Sequence, residues 1–111
     1  MYIENSKYDS RNNCNAIIET ETNTLLKGTE NTIIPNTVTN IGNTNVSSHS
    51  VFERNNVPNT LNIPDSVMRV YSGAFTALTF NDLIIGKNCK FDNFNFSVTN
   101  TITVPENHIS Y

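Results

Sequence analysis

Residues with reactive chemistry are few in this 111-residue chain: two histidines, His49 in a Ser-rich stretch and His108 at a turn position near the C-terminus, and two cysteines, Cys14 and Cys89. Nucleophilic or general-base catalysis needs a histidine set against a Ser, Cys or carboxylate and oriented by a third group, and neither histidine lies in a recognised arrangement of that kind. Asp9, Asp65, Asp82 and Asp92 are dispersed, without the alternating oxygen ligands of a calcium loop, and no His or Cys cluster has zinc spacing. Cys14 and Cys89 allow at most one disulfide, but their spacing matches no disulfide framework. The sequence therefore predicts no enzyme, no metal and no cofactor. Asn45-Val-Ser47 and Asn95-Phe-Ser97 satisfy the glycosylation pattern, which arises by chance in a chain about one third Asn and Thr.

Charge narrows the partners. Charged residues are only 15% of the chain, the net charge is −3, and the basic residues Lys7, Arg11, Lys27, Arg54, Arg69, Lys87 and Lys90 stand singly. Phosphate neutralisation needs a basic stripe, so nucleic acid is not an expected partner. No apolar run reaches the 18 or so residues of a transmembrane helix, which argues against membrane insertion. The start MYIENSKYDS has neither the basic end nor the apolar stretch of a signal peptide. The compartment is left open by these features.

The elements that must carry any surface are short. Helical periodicity is not sustained, whereas β-branched clusters separated by Asn, Gly and Pro recur throughout, which predicts a mainly β chain. With 37% hydrophobic residues the chain supports one domain, residues 1–111, and one thin core. Asn15 to Gly28 holds two strand-like runs around the polar centre Thr20 to Asn23, and reads as a hairpin within residues 8–28.

Residues 29–111 carry about three to four irregular repeats. Thr32-Ile-Ile-Pro-Asn-Thr-Val38, Leu61-Asn-Ile-Pro-Asp-Ser-Val67, Leu83-Ile-Ile-Gly-Lys-Asn-Cys89 and Ile102-Thr-Val-Pro-Glu-Asn-His108 align. In each, an apolar residue (Ile34, Ile63, Ile85, Val104) precedes Pro or Gly, where a strand ladder ends and the chain turns. A second buried position then follows at Val38, Val67 or Cys89, and a further apolar residue at Ile41, Val70, Phe91 or Tyr111. From Ile34 to Ile63 is 29 residues, from Ile63 to Ile85 is 22 and from Ile85 to Val104 is 19, around the 20 to 29 of leucine-rich repeats. Between the second and third repeats, Ala74, Phe75 and Leu78 fall on one face of about one helical turn, and a short helix there would return the chain to the next strand. Val51 and Phe52 take that part in the preceding crossover, and Phe91, Phe94 and Phe96 alternate in the following one.

A strand ending Ile-Pro-x-x-Val, then Ile or Val, then Ala-Phe, then Leu resembles the BspA-like leucine-rich repeat, best matched by Leu61 to Val70 with Ala74-Phe75. Tyr8 to Glu19, with Thr22-Asn-Thr-Leu25, looks like the hairpin found between repeats of bacterial members of that family. The resemblance spans roughly residues 8 to 104 and departs from the pattern over Gly42 to Asn59. It implies a short leucine-rich-repeat solenoid with an N-terminal β-hairpin and at most one or two helical turns. It also implies a packing role for Cys14 and contact with protein or glycan at a cell surface or outside the cell.

Strand alternation turns Leu61 and Ile63 inward and Asn62 outward, and register equivalence adds Ile33, Ile84 and Thr103 to the same outer stripe. This stripe is the expected binding face, apolar at two positions. The alternative expectation is a structural part of a larger assembly, such as a virion or oligomeric surface array. A solenoid end needs covering, and the sequence stops just after its last repeat, which makes a homo-oligomer a candidate partner.

Overall fold

The computed structural model describes residues 7–43 and 50–106. His49, the Asn45 glycosylation pattern, His108 and Tyr111 lie outside those residues. The chain is mainly β and winds as a solenoid. Its strands are β1 (Tyr8–Asp9), β2 (Ala16–Glu19), β3 (Thr24–Gly28), β4 (Asn40–Ile41), β5 (Thr60–Asn62), β6 (Arg69–Val70), β7 (Thr79–Ile84), β8 (Lys90–Phe91) and β9 (Ser97–Thr103).

These strands form two sheets. One runs β1-β2-β3-β4-β6-β8; the other runs β5-β7-β9. The first three strands are antiparallel, with β2 and β3 forming the expected hairpin, and from β3 onward every pairing is parallel. Each parallel step is one coil laid on the previous one.

The repeat seen in the sequence is a repeated turn. The Val38 N–H donates to the Pro35 carbonyl (3.1 Å), Val67 to Pro64 (3.1 Å) and Cys89 to Gly86 (3.3 Å). Stacked coils are then tied at equivalent positions, Met68 N–H to the Thr39 carbonyl (2.8 Å) and Lys90 N–H to the Met68 carbonyl (3.0 Å). Fixing the chain at the Pro or Gly thus puts Val38, Val67 and Cys89 at one buried column, all 0% exposed. Gly86 stands where the three other repeats have Pro for a local reason: a Cβ there would lie 2.5 Å from the Pro64 carbonyl oxygen of the coil beneath.

Asparagine supplies much of the turn chemistry. Asn12, Asn13, Asn15 and Asn23 all take positive φ, between 51° and 58°, a region Asn tolerates better than most side chains. Between β6 and β7 the expected short helix is replaced by consecutive turns: Ala74 N–H bonds Tyr71, Thr76 bonds Gly73 and Leu78 bonds Phe75. Gly73 (φ 90°) and Ala77 (φ 61°) leave the right-handed region, so helical hydrogen bonding cannot propagate. Ala74, Phe75 and Leu78 are still buried, as their spacing requires. A single 3-10 turn at Arg11–Asn13 is the helical element of the described residues.

The core runs between the two sheets. Ala16, Ile18 and Leu25 of the hairpin pack into the same cluster as Val51, Phe52, Leu61, Phe75, Phe80 and Leu83. All six phenylalanines form one connected aromatic chain, from Phe52 through Phe75 and Phe80 to Phe96, Phe91 and Phe94. It begins in the interior and ends at the surface, with Phe94 71% exposed.

Candidate functional site

Parallel register brings three of the four outer-stripe residues into one row: Asn62 pairs with Ile84, and Ile84 with Thr103. Asn62 and Thr103 are exposed and Ile84 between them is half-buried. Ile33 is 77% exposed, but it lies outside both sheets, and its N–H donates to the Cys14 carbonyl at 3.1 Å. The row is therefore polar at its two ends with one isoleucine in the centre.

The adjacent outer row is Thr60, Asp82 and Thr101. Asp82 accepts from the Thr101 hydroxyl (2.7 Å) and the Asn100 amide (2.8 Å), and these bonds hold its carboxyl below the usual carboxylate range. A general base needs a raised pKa and a free lone pair aimed at substrate. Asp82 instead locks β9 onto β7.

Neither cysteine is poised for nucleophilic chemistry. Both are free and buried. Burial pushes the Cys89 thiol up to about 12 and also raises Cys14, and a thiol held protonated is a poor nucleophile and metal ligand. No group of three or more His, Cys, Asp or Glu able to hold a metal occurs among the described residues, and none of their helices is long and apolar enough to cross a membrane. A groove of about 450 Å³ is lined by Lys27, Ser50, Phe52, Arg54 and Thr76 among others. Its two hydroxyls are already engaged, Ser50 donating to the Thr76 carbonyl at 2.6 Å and the Thr76 hydroxyl accepting from the Asn95 amide at 2.9 Å.

The most distinctive surface is the one at the free edge of β9, which individual residue types did not flag. Leu61 on β5 and Leu83 on β7 are core positions, 1% and 0% exposed, and register sets Ile102 beside Leu83. Ile102 is 54% exposed, and among the described residues no strand pairs with β9 on its far side. Val98, beside the fully buried Phe80, is half-buried. Phe94 extends the same apolar end, stacking on Phe91 at 5.3 Å. The Phe91, Phe94 and Phe96 alternation was the available signal, but it does not reveal which ring is left outside.

No family model, curated protein or solved structure matches the chain.

Proposed function

We propose that the chain is a non-enzymatic contact module, a leucine-rich-repeat solenoid of the BspA-like kind serving a surface or extracellular protein. Its ligand is protein or glycan, met on the outer face of the three-stranded sheet around Asn62, Ile84 and Thr103 and on the adjoining edge of β9. The observation that carries this reading is the unfinished core at that edge, where Ile102 occupies a core position of the repeat yet is 54% exposed. Ile102 and Phe94, two of the exposed large apolar side chains, lie at this end, and apolar surface left at a strand edge is a place where another molecule gains by covering it. Protein suits the edge better than glycan, since the exposed backbone of a strand and apolar side chains at alternate positions match an added strand.

The test is a binding screen of the whole chain against glycan and extracellular-protein arrays, with each ligand retested on Thr103→Lys and Ile102→Lys. A ligand lost on either variant supports the reading. Ligands indifferent to both, or turnover of peptide, ester or glycoside substrates, would overturn it. The second reading is a structural part of a larger assembly, which the same edge favours because an unpaired strand edge on a stacked repeat suits a joint between subunits.

A further inference from the structure

We propose that β9 is a self-recognition edge, through which two copies of this chain pair antiparallel about a two-fold axis at Asn100. The proposal deepens the reading of that edge as a protein-contact surface and rests on it.

Residues 96–104 read Phe-Ser-Val-Thr-Asn-Thr-Ile-Thr-Val, a palindrome by residue class centred on Asn100. Antiparallel pairing about that centre sets Val98 opposite the partner's Ile102 and Thr99 opposite the partner's Thr101. Ser97 then meets the partner's Thr103, and Phe96 the partner's Val104. A two-fold contact must be self-complementary, and apolar–apolar and hydroxyl–hydroxyl neighbours are among the pairs that stabilise adjacent strands.

Backbone geometry points the same way. The Ser97 N–H donates to the Leu78 carbonyl, and the Thr103 carbonyl accepts from the Ile85 N–H, both at 2.9 Å. Successive residues of a strand turn their amides to opposite sides, so Val98 and Ile102, one step inward from each, present N–H and C=O to the free edge. These are the residues that the two-fold places in hydrogen-bonded pairs.

Charge agrees as well. No charged residue occurs from Asn93 to Pro105, so β9 itself brings no charge to the seam, and the Asp82 carboxylate bonded to Asn100 and Thr101 stands one strand back from it. The edge also lacks the Lys or inward-facing charge by which free strands are protected from pairing. One protective device is present: between the Phe80–Val98 and Asp82–Thr101 pairs, β9 carries one residue more than β7. That bulge lies at Thr99–Asn100, on the proposed axis, where its twist acts equally on both copies. A seven-residue ladder buries less than the ~1,200 Å² of stable complexes, so the dimer is weak and dissociates on dilution.

The experiment measures the mass of the full 111-residue chain by light scattering from about 1 μM to about 1 mM, a range that brackets weak association. The expected result is a rise from 12.4 kDa toward twice that mass, with the midpoint moved roughly tenfold or more higher in concentration by Ile102→Lys. Register is read by Asn100→Cys. Asn100 is the position that faces its own copy across the axis, which brings the two sulfurs within disulfide reach, so mild oxidation links this variant into a dimer. Val98→Cys does not link, because its two copies would lie four residues apart, roughly 13 Å along the strand. Circular dichroism on each variant confirms that the fold is kept.

A mass fixed at 12.4 kDa across the range, or equal linking of both cysteine variants, overturns the proposal. If such a monomer still binds an arrayed protein in an Ile102-dependent way, the contact reading survives and self-pairing alone is removed. If it binds none, both fall.

Discussion

The two ends of this solenoid solve the same problem differently. At the N-terminal end the chain folds back as an antiparallel hairpin and lays Ala16, Ile18 and Leu25 over the first coil, each 0% exposed. Arg11 secures that cap, donating to both Asp9 oxygens (2.7 and 2.6 Å) and to Asn23 (2.7 Å) and Thr37 (3.3 Å), while Thr20 donates to Asp9 at 2.7 Å. At the C-terminal end β9 is laid down in parallel and nothing in the described residues covers it: five of its seven residues run exposed from Thr99 to Thr103. The lesson is that one end is an element of stability and the other a surface held by that stability. Substitutions should separate the two.

The largest effect is expected from the cap. Leu25→Ala removes a fully buried side chain from the junction between hairpin and first coil, and such truncations cost about 2–5 kcal/mol. Urea denaturation monitored by circular dichroism should show the midpoint falling accordingly. A loss below about 1 kcal/mol would mean that the hairpin is not part of the cooperative unit and that the two ends differ less than their burial says.

Gly86→Ala probes the middle of the stack, where the third coil approaches the second. The added methyl meets a backbone oxygen, not the end of a flexible side chain, and overpacking of this kind costs about 1–3 kcal/mol. The same measurement checks it, and a neutral result would show that coils slide apart cheaply.

The acid dependence of the cap comes next. Arg11, through its hydrogen bonds, holds the Asp9 carboxyl at about 2, against 3.8 for the free side chain. Because the folded value is the lower, the contribution is fully present above about pH 4 and is lost as pH falls through 2. With Asp9 partly open to solvent, that contribution is about 1–2 kcal/mol. Stability measured from pH 5 to 2 should fall more steeply in the wild-type chain than in Asp9→Asn, which is already without it; parallel curves would remove Asp9 from the account. Asp92, lowered by its bonds from Arg69, acts in the same direction near the open end and remains in both proteins.

How much of this could be read from the residues follows the same division. The repeating turn was legible because Pro35, Pro64 and Gly86 punctuate apolar alternation at matching positions, and the buried column Val38, Val67, Cys89 follows from that punctuation. The hairpin was legible from two apolar runs about a polar centre. The helix expected at Ala74 to Leu78 was not formed, since apolar spacing records which side chains are buried and not whether Gly73 and Ala77 carry positive φ. Ile33 departed from the outer row because its partner is Cys14, a contact 19 residues back that no repeat encodes. The bulge in β9 was invisible, because Val98 and Ile102 fit regular alternation with or without it. Exposure of Phe94 and Ile102 is a property of position in the stack, and the residues themselves look like core.

The smallest effect on folding is therefore expected where the sequence looks most core-like. Ile102→Thr keeps a β-branched side chain on an edge strand and removes apolar surface that is already 54% exposed. At a dilution where the chain is monomeric, its unfolding midpoint should move by less than about 0.5 kcal/mol, the range of ordinary surface substitutions. The same change takes an apolar residue out of the edge and should weaken every contact made there. A substitution that is silent in urea and audible in binding is what an end built for contact predicts. If Ile102→Thr were instead as costly as Leu25→Ala, β9 would be closing the core as the hairpin does, and the contrast between the two ends would be lost.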